Sequence, residues 1–117
     1  MQYMLMCYFD EKGWAEIPGA DRARIMDAYG EWTQAIVRSG HFRASAKLQP
    51  TSVATTVRER NGKRVTTDGP FAETKEQLGG THMIECKDLD EALAIAARIP
   101  TLRFGGVVEV RPVEFTS

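Results

Sequence analysis

Long apolar runs, an excess of charge of either sign and cysteine pairs at metal-ligand spacing are all missing from this 117-residue chain. Nothing approaches the ~20 consecutive apolar residues of a membrane-crossing helix, so no membrane association is expected. The opening MQYMLMCYFD is apolar, but no basic segment precedes it and Asp10 and Glu11 cut it short. A first strand is expected there rather than an export signal, with the cytoplasm as the expected compartment. Fifteen Lys and Arg against sixteen Asp and Glu leave a net charge of −1. Without a domain-wide positive field, direct binding of nucleic acid is not expected. Cys7 and Cys86 are far apart in sequence and read as buried free thiols. With His41 and His82 as its two histidines and no Cys–Cys pair, the chain carries no metal signature. The sequence has no GxSxG, P-loop or GxGxxG pattern, so no nucleotide cofactor is expected by those routes.

What is present is the pattern of one α+β domain spanning residues 1–117. Tyr3–Phe9 is apolar on both faces, as in a central strand. Glu11–Asp21, punctuated by Gly13, Pro18 and Gly19, reads as a loop. From Arg22 to Ser39 the apolar residues Ile25, Met26, Tyr29, Trp32, Ile36 and Val37 follow a 3.6-residue period, which predicts an amphipathic helix. Gly40 suits the left-handed position that ends it. Gly30, inside it, is expected to mark close backbone packing.

A short strand is expected over His41–Leu48, ending before Pro50. Val53–Arg60 and Lys63–Asp68 flank Asn61-Gly62, the signal for a two-residue type I′ hairpin. The register that pairs Glu59 with Arg64 also pairs Thr55 with Asp68, Val57 with Thr66 and Arg60 with Lys63. Thr81–Cys86 reads as a strand. Asp88 is expected to cap a second helix with Glu91 three residues on, burying Leu89, Ala92, Leu93, Ala96 and Ile99. Val107–Phe115 closes the chain as a strand with Val108, Val110 and Pro112 under the helices. The order β-α-β-hairpin-β-α-β folds by right-handed crossovers into a ferredoxin-like split βαβ sheet with an inserted β-hairpin. The face of that sheet away from the helices carries apolar residues beside Glu109 and Arg111. Two copies stacked face to face would cover it, so a homodimer is expected.

Asp68-Gly69-Pro70-Phe71 reads as a turn, with Asp68 accepting backbone N–H bonds and Phe71 anchoring the loop in the core. Thr74–Gln77 has capping-box spacing for one helical turn, ended by Gly79-Gly80. The string DGPFAETKEQLGG at Asp68–Gly80, with DLDEALAIAARIP at Asp88–Pro100 and VEVRPV at Val108–Val113, resembles the DGPF branch of the YCII-related family. SGHFRASAKLQP at Ser39–Pro50 adds a weaker match. The resemblance implies a ferredoxin-like fold and a dimeric α/β-barrel. In the wider family, a His–Asp pair near the first helix suggests enzymatic activity, and one relative is similar to a dehydrochlorinase acting on chlorinated hydroxyquinols. This sequence does not reproduce the pair, because His41 follows the helix. Other DGPF-type proteins resemble companions of extracytoplasmic-function sigma factors, which implies a sigma factor as an alternative partner.

The residue pattern offers two groups of candidates. Asp68, Glu73 and His82 are the candidate proton-transfer groups, since mixed charges beside an apolar wall can shift a carboxylate toward neutrality and an imidazole titrates near 6.5. Lys75, Glu76, Glu109 and Arg111 are the candidate substrate-binding groups, facing a small organic ligand in a cavity between two stacked sheets. A structural ion network around Asp68 and Arg111 is the plainer alternative. His82 equally suits a hydrogen-bonded core position. Trp14 and Trp32 are read first as core residues and second as an edge for a ligand.

Overall fold

The computed structural model describes residues 1–116; Ser117, the last residue of the expected domain, lies outside the described residues. The chain runs β1 (Gln2–Phe9), α1 (Glu11–Glu16), α2 (Gly19–Arg38), β2 (Phe42–Lys47), β3 (Thr55–Arg60), β4 (Lys63–Asp68), β5 (Gln77–Glu85), α3 (Leu89–Ala96) and β6 (Val107–Pro112). Short 3-10 turns precede β3 and β6. The main sheet is antiparallel with strand order β2-β5-β1-β6, and β3 and β4 pair only with each other. β1 and β2, joined through α2, lie two positions apart with β5 between them, and β5 and β6, joined through α3, enclose β1 in the same way. That is the order of a split βαβ unit, consistent with a ferredoxin-like α+β fold. No helix is long and apolar enough to cross a membrane.

Alternation along the two central strands sorts the side chains. Tyr3 pairs with Ile84 and Leu5 with His82, so these four share one face. Under the helices Tyr3, Leu5 and Ile84 join Trp32 and Ile36 of α2, Ala92, Ile95 and Ala96 of α3, and Cys86 and Ile99 in one core, with the His82 ring beside Trp32. Trp32 satisfies its indole by donating to the Ile95 carbonyl oxygen at 3.0 Å, which ties the two helices together. Val108 and Val110 extend the core at one edge and Phe42 at the other, as their positions predict. On the opposite face Met4 sits beside Met83 and Arg111, and Met6 beside Thr81 and Glu109, with the methionines half-buried.

The hairpin follows its sequence signal. Asn61 and Gly62 adopt φ of 53° and 75°, and Glu59 faces Arg64 in the expected register. Gly40 has φ 82° at the end of α2. Asp88 caps α3 by accepting from the Glu91 backbone N–H at 2.9 Å, while Glu91 reaches back to the N–H of Lys87.

Several expectations are corrected. Glu11–Glu16 is helical rather than loop, because Asp10 accepts from the Lys12 backbone N–H and supplies an N-cap. Pro18 separates that helix from α2, which starts at Gly19 instead of Arg22. Gly30 faces open space, so close packing is not its reason. In α3, Ile95 is buried, whereas Leu89 and Leu93 are exposed; α3 meets the sheet along Ala92, Ile95 and Ala96, one face narrower than the apolar count implied. β6 stops at Pro112, which is exposed. Phe71 is 76% exposed and anchors nothing in the core. Among the hydrogen bonds of the described residues none is accepted by the Asp68 carboxylate; beside it Gly69 N–H donates across the hairpin to the Ala54 carbonyl at 2.7 Å, extending the β3–β4 ladder. No helical turn forms at Thr74–Gln77. Strand pairing of Gln77 with Phe9 begins β5 there, and Gly79-Gly80 lies inside the strand.

These placements predict opposite outcomes for two large side chains. Ile84→Ala should cost about 2–5 kcal/mol, the usual range for a core truncation. Phe71→Ala, away from the core, should stay within about 0.5 kcal/mol. Urea denaturation of both variants checks this; a Phe71 loss matching that of Ile84 would place the loop in the core after all.

Candidate functional site

An open hollow lies on the helix side of the sheet, at the end where β1 leaves and β5 enters. It measures about 840 Å³ and is walled by α1, the first half of α2, the end of β2 and the start of β5. Two local features open it. Gly80 occupies a helix-facing position opposite Cys7 and Lys47 and brings no side chain. A methyl group added there would lie 3.2 Å from the Ala46 carbonyl oxygen, so the close approach of β2 also favours glycine. Between Cys7 and Tyr8 the register slips, with Gly79 as the extra residue of β5, which bends the strand away at this point.

Apolar groups dominate the lining: Phe9, Trp14, Met26, Leu48 and Leu78. Trp14 meets Phe9 edge to face at 5.7 Å between ring centres. It therefore borders the hollow, the second of the two roles considered for it, while Trp32 is a core residue.

His82 stands at the inner end of this hollow and is only 6% exposed. Its Nε2 lies 2.5 Å from the Tyr29 hydroxyl, and that hydroxyl is 3.3 Å from Cys7 Sγ. The rings of Tyr29 and Trp32 pack on the imidazole at 5.5 and 4.9 Å. Its Nδ1 is buried with no hydrogen-bond partner. Burial pushes the imidazole below its ordinary value, since nothing charged compensates a proton there. Burial, reinforced by the Cys7 contact, raises the Tyr29 phenol far above its ordinary value. Burial likewise raises the Cys7 thiol, with the Tyr29 hydrogen bond opposing it in part. Near neutral pH the chain of three is therefore uncharged. A neutral imidazole against a protonated phenol can take up or return a proton at Tyr29 Oη.

The other sequence candidates lie elsewhere. Asp68 closes β4, and Glu73 and Lys75 are exposed on the following loop; Glu76 is half-buried just before β5. None of the four lines the hollow. Glu109 and Arg111 sit on the opposite face of the sheet, where they pair with each other at 2.8 Å. Within one chain they do not meet the Asp68–Glu76 group, and of the seven candidates only His82 borders the hollow. His82 faces α2, on the side away from the open sheet face. His41 bridges the end of α2 to the start of α3, with Nδ1 2.7 Å from Ser39 Oγ and Nε2 3.1 Å from Glu91 Oε1. Among the described residues no group of three or more His, Cys, Asp or Glu is arranged to hold a metal ion.

Tyr29 was legible only as an apolar helix position. Its distance of three residues from Trp32 places both on one helix face, but nothing local signals that β5 would bring His82 against them.

The seat of His82 has a consequence for stability. In the unfolded chain the imidazole takes up a proton as pH falls through about 6.5. In the folded chain it resists protonation until lower pH, so folding loses stability across that interval as pH falls, and the loss levels off below the folded value. His82→Asn should show a smaller drop in unfolding free energy between pH 7 and pH 5 than the unaltered protein. Equal drops, measured by denaturant titration, would contradict this seat.

Comparison with known proteins agrees with the extent of the fold. Residues 1–116 match the YCII-related domain. An uncharacterized protein of Rhizobium meliloti (strain 1021) is 38% identical over 114 residues, which cover 97% of this chain and 92% of that one. With the match running from the first strand past the last, the chain belongs to the YCII-related family.

Proposed function

We propose that the domain binds a small, largely apolar organic molecule in the hollow between α2 and the sheet and moves a proton on it through Tyr29 and His82. The carrying observation is the Tyr29–His82 hydrogen bond at the inner end of a mostly apolar cavity of about 840 Å³. That size lies within the range of small-molecule sites, roughly 300–1,000 Å³. In this reading Tyr29 Oη accepts a proton from the ligand as its own passes to His82 Nε2. The imidazolium so formed is disfavoured by burial, which drives the proton back onto the ligand at a different atom. That step is isomerase-like. In the lyase-like form the electron pair left on the ligand forms a double bond as a neighbouring group departs, and the proton on His82 passes through Tyr29 to the departing group.

The remaining candidates enter through a second copy. The open sheet face, with Met4, Met6 and Met83 beside the Glu109–Arg111 pair, suits a two-fold homodimer of the dimeric α/β-barrel kind. The β3–β4 hairpin supports the same reading, because a two-stranded hairpin standing alone is marginal in water. In such a dimer Asp68, Glu73, Lys75 and Glu76 border the interface. The same exposed arm, carrying Val57 and Phe71, is the surface that a sigma factor or other protein partner would use in the alternative, non-enzymatic reading. Membership of the DGPF branch and a cytoplasmic setting complete the proposal; the two free cysteines, Cys7 and Cys86, are in keeping with a reducing compartment.

Native mass spectrometry of the purified protein tests the assembly and the ligand together, with a dimer and a co-purified small molecule as the expected result. For the chemistry, the protein is incubated in deuterated water with the recovered ligand. Deuterium should enter the ligand with the unaltered protein, and should fall at least tenfold with His82→Asn and with Tyr29→Phe. Unchanged incorporation in both variants would remove the proton-transfer reading.

A further inference from the structure

The cavity carries a second chemical instruction, at the end away from His82. Among the described residues the buried side-chain nitrogens without a hydrogen-bond partner are His82 Nδ1 and Arg22 Nε, and both residues line this one hollow. Arg22 is a member of none of the four ion pairs among the described residues. A guanidinium N–H buried without an acceptor is costly, and an anionic oxygen is the partner its geometry suits best.

The carboxylate nearest to hand in the lining does not fill that role. Glu11 turns both oxygens to Thr51, accepting from its hydroxyl at 2.5 Å and from its backbone N–H at 3.0 Å. Lys47, from the end of β2, adds a second positive charge to the wall. The hollow thus presents two cations, one carboxylate already engaged, several neutral polar side chains such as Gln49 and Gln77, and an apolar wall headed by Phe9, Trp14 and Met26.

Resting on the small-molecule reading above, we infer that the ligand is an apolar organic anion, its carboxylate held by Arg22 and its body laid along Phe9, Trp14 and Met26. Such a molecule enters with its charge paired, and its far end reaches toward Tyr29 and His82. Apolar carboxylates come from two sources, aliphatic acyl chains and aromatic acids, and the cavity chemistry is common to both.

Two fluorescent probes with one aromatic body separate the parts of this assignment: anilinonaphthalene sulfonate, which carries an anion, and phenylnaphthylamine, which does not. Both should bind the unaltered protein, and both should be expelled by Met26→Trp, which fills the hollow from α2. In Arg22→Gln the sulfonate probe should lose roughly tenfold or more in affinity, while the neutral probe stays within about twofold. Arg22→Lys, which keeps the charge without the fork, should fall between. Circular dichroism melting of each variant confirms that it is folded. Loss of both probes to the same degree in a folded Arg22→Gln, or of neither, overturns the anion assignment and leaves the cavity standing. Failure of the unaltered protein to bind either probe, or binding indifferent to Met26→Trp, overturns the cavity reading itself. Decanoate and naphthoate then compete against the sulfonate probe: displacement by either acid but not by its methyl ester supports the inference, and the stronger competitor identifies the source. Esters that compete as well as the acids overturn it.

Discussion

The antiparallel pairing of β1 with β5 is the constraint on which the rest of this molecule depends. Because successive side chains on a strand point to opposite faces, one register decides both halves of the sheet. Tyr3 against Ile84 and Leu5 against His82 give the helices something to pack on. The same register sends Met4, Met6, Thr81 and Met83 to the other side. A slip of β5 by one residue would turn over its side chains alone, setting Thr81 and Met83 beside Leu5 on the core face and sending Ile84 and His82 to the other. His82 is held by that arithmetic: it is a polar residue on the core face because its neighbours two positions away, Gly80 and Ile84, must be there.

The cavity follows from where the core runs out. Moving along the helix-facing row of β5, side-chain volume falls from Ile84 to His82 to nothing at Gly80. On β1 the corresponding row passes from Tyr3 and Leu5 to the smaller Cys7, and then the register slips at Gly79. α2 spans 20 residues and continues past this point, so its first half overhangs a part of the sheet where Cys7 is small and Gly80 brings no side chain. A packed interior tolerates few voids, and a hollow of this size is retained where it opens to solvent and can be occupied. Two of its polar groups are buried in the wall, with His82 drawn onto Tyr29 and Arg22 Nε left without a hydrogen-bond partner.

Much of the fold was legible because its signals are local. The helix period through Ile25, Trp32 and Ile36, the Asn61-Gly62 turn and the Asp88 cap each need only a few neighbouring residues. The hairpin register was legible to the residue, since a two-residue turn leaves no freedom in what faces what. Misread segments were those whose outcome is set at a distance. Leu93 is as apolar as Ile95, and only the angle at which α3 meets the sheet decides which is covered. Thr74–Gln77 has the spacing of a helical cap, but Gln77 finds Phe9 across β1 and becomes strand. The site is the extreme case. Tyr29, Cys7 and His82 are separated by 22 and 53 residues, and no spacing rule links them. Asp68 and Glu73 drew notice because they are close in sequence; within one chain Asp68 ends β4, Glu73 follows on the exposed loop, and neither lines the hollow.

The Asp68–Gly80 segment nonetheless bears on the site, through its ends. The chain leaves the sheet after β2, makes the β3–β4 arm and the loop, and returns at Gln77. Glu11 holds both points of departure and return. Its carboxylate accepts from Thr51 at the start of the excursion, and its backbone N–H donates to the Gln77 side chain at the close, at 2.8 Å. Gln77 is further tied by donating to the Thr74 carbonyl. Because Glu11 opens α1, the helix that brings Trp14 to the cavity, the rim is clamped where arm, loop and helix converge. The length and composition of the loop are therefore free to serve the outer surface, while its final residues must keep Gln77 and Leu78 at the mouth. A contact made by the arm has a short covalent and hydrogen-bonded route to the cavity wall, through Pro50 where the chain departs, Gln77 where it returns, and Glu11, which holds the two ends together.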